Sequence, residues 1–157
     1  MTQAAMIAAI YVVLTYIFAP FSFGEVQVRI SEALTILPIF TPAAIPGLFA
    51  GCLIGNILGG AILPDIVFGS IATLIGAFFT WKLREQKPVV ATFPPIISNI
   101  IIVPFVLRYG YGVTLPIPFM MLTVGIGEVL SCGVIGLVLQ SALKNYSHVI
   151  FRDTAKA

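Results

Sequence analysis

Apolar residues run almost unbroken along this chain, and short polar or proline-marked interruptions cut the run into six segments. The first covers residues 4–19 and stops at Pro20; a mixed connector, residues 20–29, follows. The second covers residues 30–41, the third 43–63, the fourth 66–81, the fifth 89–107 and the sixth 117–143. Crossing a hydrocarbon core takes ~20 apolar residues, fewer where neighbouring helices shelter the segment. At ~1.5 Å per residue the second segment is too short to cross upright. It is expected to be a short helix whose outer end is completed by a connector dipping into the bundle. Proline punctuates the pattern: Pro38, Pro42 and Pro46 stiffen the link between the second and third helices, and Pro104 is expected to bend the fifth.

Small residues add a second periodicity. Gly47, Gly51, Gly55 and Gly59 recur every fourth residue, so one face of the third helix is bare and another helix can approach it closely. Asn56, one position off this stripe, is expected to point to the same interior. On the first helix Ala4 with Ala8, and Ala5 with Ala9, form a similar small-residue surface, suited equally to internal packing and to docking of a partner.

Composition fixes the solvent. Charged residues are 9% of the 157 and hydrophobic ones 59%, which leaves too little polar surface to cover a soluble domain. Mean hydropathy is +1.10. The fold class is therefore all-α and integral to a membrane: a compact bundle of six transmembrane helices with outer connectors capping a pocket. Residues 1–157 form one membrane domain, with 144–157 as a tail. Lys82, Arg84 and Lys87 join the fourth and fifth helices, and Lys144, Arg152 and Lys156 follow the sixth. Six spans put all of these on the side of the N-terminus and leave Arg29 and Arg108 opposite, so both termini are expected in the cytoplasm. Trp81 beside Lys82 fits an interfacial anchor.

Within that topology the polar residues gather on one side. Glu25, Gln27, Arg29 and Glu32 stand at the outer entrance to the second helix, Asn56 near the outer end of the third, and Asp65 at the start of the fourth. Asn99 is midway along the fifth, Arg108 closes it, and Glu128 lies ~16 Å below the outer end of the sixth. Charge at such depth costs several kcal/mol unless it faces the protein interior or water, about 2.5–3.5 by insertion scales. Some of the set can be structural: Arg29 and Glu32, at i and i+3, fit an ion pair, and the two asparagines fit interhelical glue. The one-sidedness of the whole set describes instead a polar cavity open to the outside.

Catalytic machinery is missing. No phosphate-binding loop, HExxH or GxSxG occurs, the sole histidine is His148 in the tail, and Asp65 has no second aspartate within the bundle. Cys52 and Cys132 lie in apolar runs and read as small buried hydrophobes rather than a disulfide or metal site. No cofactor, metal or nucleic acid is expected. A binding pocket without an engine suggests the solute-recognition part of a larger machine; a passive channel or facilitator and a structural membrane subunit are the alternatives.

Particular runs carry a resemblance. RISEALT at residues 29–35 after Phe23-Gly24 and Gln27-Val28, Pro46-Gly47-Leu48-Phe49 with Gly51-Cys52, DIVFGS at residues 65–70 with Ala72-Thr73-Leu74, and Gly125-Ile126-Gly127-Glu128 together resemble the QueT family. The resemblance spans residues 4 to about 143. It implies a substrate-binding S-component of a bacterial energy-coupling factor (ECF) transporter for queuosine precursors. It also implies docking on an energising module of one membrane coupling protein and two ATPase subunits. In such components first-helix alanines meet the coupling protein, a pattern that Ala4, Ala5, Ala8 and Ala9 match. A deazaguanine-type base offers a ring N–H and an amine on one edge, for which Glu128 or Glu32 is the expected acceptor. Arg29 or Asn99 would donate to its carbonyl, with Asn56 beside them, and Asp65 would take a cationic substituent. Phe23, Tyr109 or Tyr111 would stack on the ring as a lid.

Overall fold

The computed structural model describes residues 1–22 and 28–151, so Phe23, Glu25, Gln27 and the end of the tail lie outside the described residues. Six helices form the bundle: α1 (Thr2–Ile17), α2 (Ile30–Ile39), α3 (Ala44–Leu58), α4 (Leu63–Lys82), α5 (Pro88–Tyr109) and α6 (Ile117–Lys144). No strand occurs among the described residues. The helices α4, α5 and α6 are long and apolar enough to cross a membrane, whereas α1, α2 and α3 are shorter apolar helices. Ile10, Val13, Ile54, Ile71, Ile101 and Leu122 are among the exposed side chains, giving the bundle an apolar skin suited to lipid.

Several boundaries differ from those the pattern predicts. The first helix ends at Ile17, ahead of Pro20, and a separate turn of helix occupies Ala19–Ser22. The third stops at Leu58, and the fourth begins at Leu63 with Pro64 in its first turn, where a missing N–H costs nothing. The tail is not simply a solvated extension: a turn of helix at Ser147–Ile150 leads to Phe151, whose ring stacks on Phe40 at 5.5 Å.

The largest departure is α2. It is a 3₁₀ helix throughout its 10 residues. At ~2.0 Å per residue it reaches ~20 Å, where an α-helix of that length reaches ~15 Å. Side-chain donors compete for the carbonyls an α-helix would use: the Thr35 hydroxyl bonds the Glu32 carbonyl at 2.6 Å, and Pro38 supplies no N–H. Every residue from Ser31 to Pro38 is buried, and α1, α3, α4, α5 and α6 all touch this helix. It is the axis of the bundle.

Three of the four glycines in the small-residue stripe do what their spacing predicts, while Gly59 lies just past the end of α3. A Cβ on Gly47 would sit 2.7 Å from the Ala4 carbonyl oxygen, and one on Gly51 would sit 2.7 Å from the Tyr11 Cβ and 3.1 Å from the Ala8 Cα. Gly55 faces Thr15. These pairs rise together along both chains, so α1 and α3 pack side by side in the same direction. Ala4 and Ala8 thus lie along the seam, while Ala5 and Ala9 are exposed. Between α4 and α5, Gly76 lies against Pro95, with 2.7 Å from its would-be Cβ to the Pro95 Cα.

Candidate functional site

All six polar residues that the sequence singles out as substrate contacts are buried: Arg29, Glu32, Asn56, Asp65, Asn99 and Glu128. They fall into two adjoining layers along α2, with Arg29 and Glu32 one 3₁₀ turn apart.

The first layer is built where α2 begins, α3 ends and α4 begins. Asp65 stands in the first turn of α4, where the helix dipole favours a carboxylate. The Arg29 Nη2 donates to both Asp65 oxygens at 3.3 Å. Arg29 therefore makes its ion pair with Asp65, 36 residues away, and not with Glu32 one turn along its own helix. The Asn56 amide donates to the Asp65 carbonyl at 3.4 Å, and the Tyr111 hydroxyl donates to Asp65 Oδ2 at 2.9 Å. Gly69 leaves room for this cluster: a Cβ there would lie 3.1 Å from Asp65 Oδ1 and 3.3 Å from Asn56 Nδ2.

Tyr111 reaches this layer from the connector between α5 and α6, beside Gly112, whose φ of 70° lets the chain turn back. Its oxygen also accepts from the Ile62 N–H at 3.4 Å. Burial, then the Asp65 charge, pushes the Tyr111 phenol above its usual value of 10.0, so it remains a donor. Tyr109 takes a different course: it is exposed and stacks on Phe105 at the outside of α5. Arg108 is likewise turned outward and bonds the Val113 carbonyl.

The second layer lies deeper, around Glu32. Tyr11 of α1 donates its hydroxyl to Glu32 Oε1, and Thr73 of α4 donates to the same oxygen at 3.1 Å. From α6, the Cys132 thiol bonds Glu128 Oε2 at 3.2 Å and the Glu32 carbonyl at 3.4 Å. Thr35 in turn donates to the Cys132 sulfur at 3.4 Å. Asn99 of α5 faces both carboxyl groups, yet its Nδ2 completes no hydrogen bond. Glu32 Oε2 and Ser131 Oγ are also buried without a hydrogen-bond partner.

Glu128 ends the first α-helical stretch of α6, and the next seven residues, Val129–Ile135, form a π-helical segment before α-helix resumes at Gly136–Lys144. Such wide turns recur at functional sites. Here the segment carries both Ser131 and Cys132. Glu32, Glu128 and Cys132 each bring one ligand-type atom within 4.8 Å of the others, the spacing for a cation among the described residues. Cys132 is reduced and buried, as its apolar context predicts, but it is a hydrogen-bonding member of the site and not mere filling.

Tyr11, Thr73 and Cys132 escaped the sequence reading because each sits in an apolar run. One signal existed for the first: Ile7, Tyr11 and Thr15 recur every four residues and form the buried stripe of α1. Chemically, the deep layer offers a buried acceptor, Glu32 Oε2, and a buried donor, Asn99 Nδ2, that have no hydrogen-bond partner within the protein.

The comparisons with known proteins agree with a transport role. The queuosine precursor transporter QueT of Lactococcus lactis subsp. cremoris (strain MG1363) is 34% identical over 73 residues, 45% of this chain and 43% of that protein. The match thus spans less than half the length of that relative. No solved structure matches the chain. The model of the QueT transporter family, however, matches residues 1–145. With nearly the whole sequence covered, the chain belongs to the QueT transporter family.

Proposed function

We propose that this chain is the substrate-binding subunit of an ECF-type importer. It captures a queuosine precursor, a deazaguanine-type base, on the outer side of a bacterial cell membrane. An energising module of one coupling protein and two ATPase subunits then drives its release into the cytoplasm. The observation that carries the reading is the deep polar layer: Glu32 Oε2 and Asn99 Nδ2 are left without partners inside a bundle whose exterior is apolar. Buried polar groups cost about 1–3 kcal/mol each when unsatisfied, and a ligand rich in N–H and C=O groups offsets that cost. The L. lactis relative's name supplies the ligand class. The sequence offers no ATP-binding loop, which fits an ATPase supplied by a partner.

In this reading the basic residues Lys82, Arg84, Lys87 and Lys144 face the cytoplasm, and the Arg29–Asp65 end faces outward. Tyr111, bonded to Asp65 from a connector, is the lid residue. Ala5 and Ala9, exposed on α1, are the docking residues for the coupling protein; Ala4 and Ala8 support them from within the seam. Equilibrium binding of deazaguanine precursors to the purified chain tests the proposal, with guanine and riboflavin as controls. Selective binding by the chain alone supports it. Passive equilibration of the same solutes through the reconstituted chain would replace it with a facilitator.

A further inference from the structure

The charges of the two layers do not balance in the same way. In the first layer Asp65 is met by Arg29, and Tyr111 completes its coordination. Arg29 is the one buried cation among the described residues. In the second layer the carboxyls of Glu32 and Glu128 converge, and their side-chain hydrogen bonds come from neutral groups: Tyr11, Thr73 and Cys132. The field of Arg29 reaches both glutamates, but its ion contact is with Asp65. One oxygen of Glu32 remains without any hydrogen-bond partner, and the Asn99 amide, buried and facing both carboxyls, completes no bond either.

The geometry points to a ligand that brings a positive charge: Glu32 and Glu128 together grip a single ammonium group, and they select the substrate by that charge. Resting on the transport reading above, this names which precursor the site takes: a deazaguanine bearing an aminomethyl arm, over the same base with a neutral arm. Ligand-type atoms within 4.8 Å of one another are close enough for one –NH₃⁺ to bond both carboxylates at once. Charge-assisted bonds of this kind run ~2.7–2.9 Å. They are too close for the two glutamates to serve opposite ends of a bicyclic base. An ammonium has three donors and no acceptor, which matches two converging acceptors and leaves the Asn99 amide for a ring carbonyl. The assignment moves the cation from Asp65, where the sequence suggests it, to the deeper pair, because Asp65 already has its counter-charge.

The test is a binding series on the full chain in detergent, using the base with an aminomethyl arm, the same base with a nitrile arm, and Zn²⁺ or Mn²⁺ alone. For the unmodified chain the aminomethyl base is expected to bind about tenfold tighter or more than the nitrile base. Glu32→Gln and Glu128→Gln each keep the side-chain shape, and in each the ratio is expected to fall toward one while nitrile-base binding persists. A merely structural role would weaken both ligands together and leave the ratio unchanged, which overturns the inference. Equal affinities in the unmodified chain overturn it while leaving the transport reading intact. Binding of neither base to folded chain removes both. Tight divalent-metal binding that blocks the aminomethyl base and vanishes in Glu128→Gln makes the pair a metal site and also overturns the inference.

Discussion

The α1–α3 seam and the Glu32–Glu128 layer are both buried, and they are buried for opposite reasons. The seam is bare backbone against backbone: Gly47 and Gly51 admit Ala4, Ala8 and Tyr11 at distances that exclude even one methyl group. Nothing there needs a partner from outside. The glutamate layer carries polar atoms that the protein does not pair, at positions that lipid cannot solvate. One region is therefore closed by shape alone, and the other keeps buried polar atoms unpaired. Tyr11 joins them, with its Cβ set by Gly51 and its hydroxyl on Glu32.

The sharpest way to break the seam is Gly51→Val. The added carbons would collide with the Tyr11 Cβ and the Ala8 backbone, and overpacking of a tight contact costs about 1–3 kcal/mol or more. Loss of monodisperse protein on size-exclusion chromatography is the expected result, with ligand binding lost alongside it. Ala8→Leu is expected to act in the same manner, since Ala8 lies on the seam. Ala9→Leu, by contrast, alters an exposed position. Uptake by cells is expected to fall to background while the purified chain binds ligand as before; unchanged uptake would remove Ala9 from the docking surface.

Smaller changes separate the layers chemically. Glu32→Gln should leave the melting temperature of the purified chain within a few degrees and weaken ligand binding about tenfold, measured by calorimetry. Binding that survives both Glu32→Gln and Glu128→Gln removes the carboxylate assignment. Thr73→Val deletes one hydroxyl bond to Glu32 and is expected to cost about 1 kcal/mol of binding, with little change in folding. The mildest effect belongs to Tyr111→Phe. It removes the bond to Asp65 from a half-exposed connector, and ligand dissociation should quicken by a few-fold at most, roughly 1 kcal/mol, in a stopped-flow chase.

What the sequence reveals follows the range of the interaction. Apolar runs set the helices, because a lipid-facing helix must be apolar along its length, and a four-residue glycine spacing is enough to expose the seam. Burial of Arg29, Glu32, Asn56, Asp65, Asn99 and Glu128 is legible for the same reason, since charge and amide groups in apolar runs must turn inward. Pairing is not legible. Arg29 has Glu32 one turn away and chooses Asp65 across the bundle, a choice made by how α2, α3 and α4 meet. The 3₁₀ geometry of α2 and the π-helical turn after Glu128 are also hidden, because an apolar run specifies a helix but not its type. Neutral hydroxyls and thiols remain invisible until their contacts are known.

Cys52 and Cys132 are 0% and 1% exposed. Maleimide reagents in water should therefore find almost nothing to label in the intact protein, so the native sequence already serves as a blank background. A single cysteine placed at Arg84 or at Tyr109, both exposed and near opposite ends of α5, would report which side of the membrane each end occupies, without first rebuilding a cysteine-free chain.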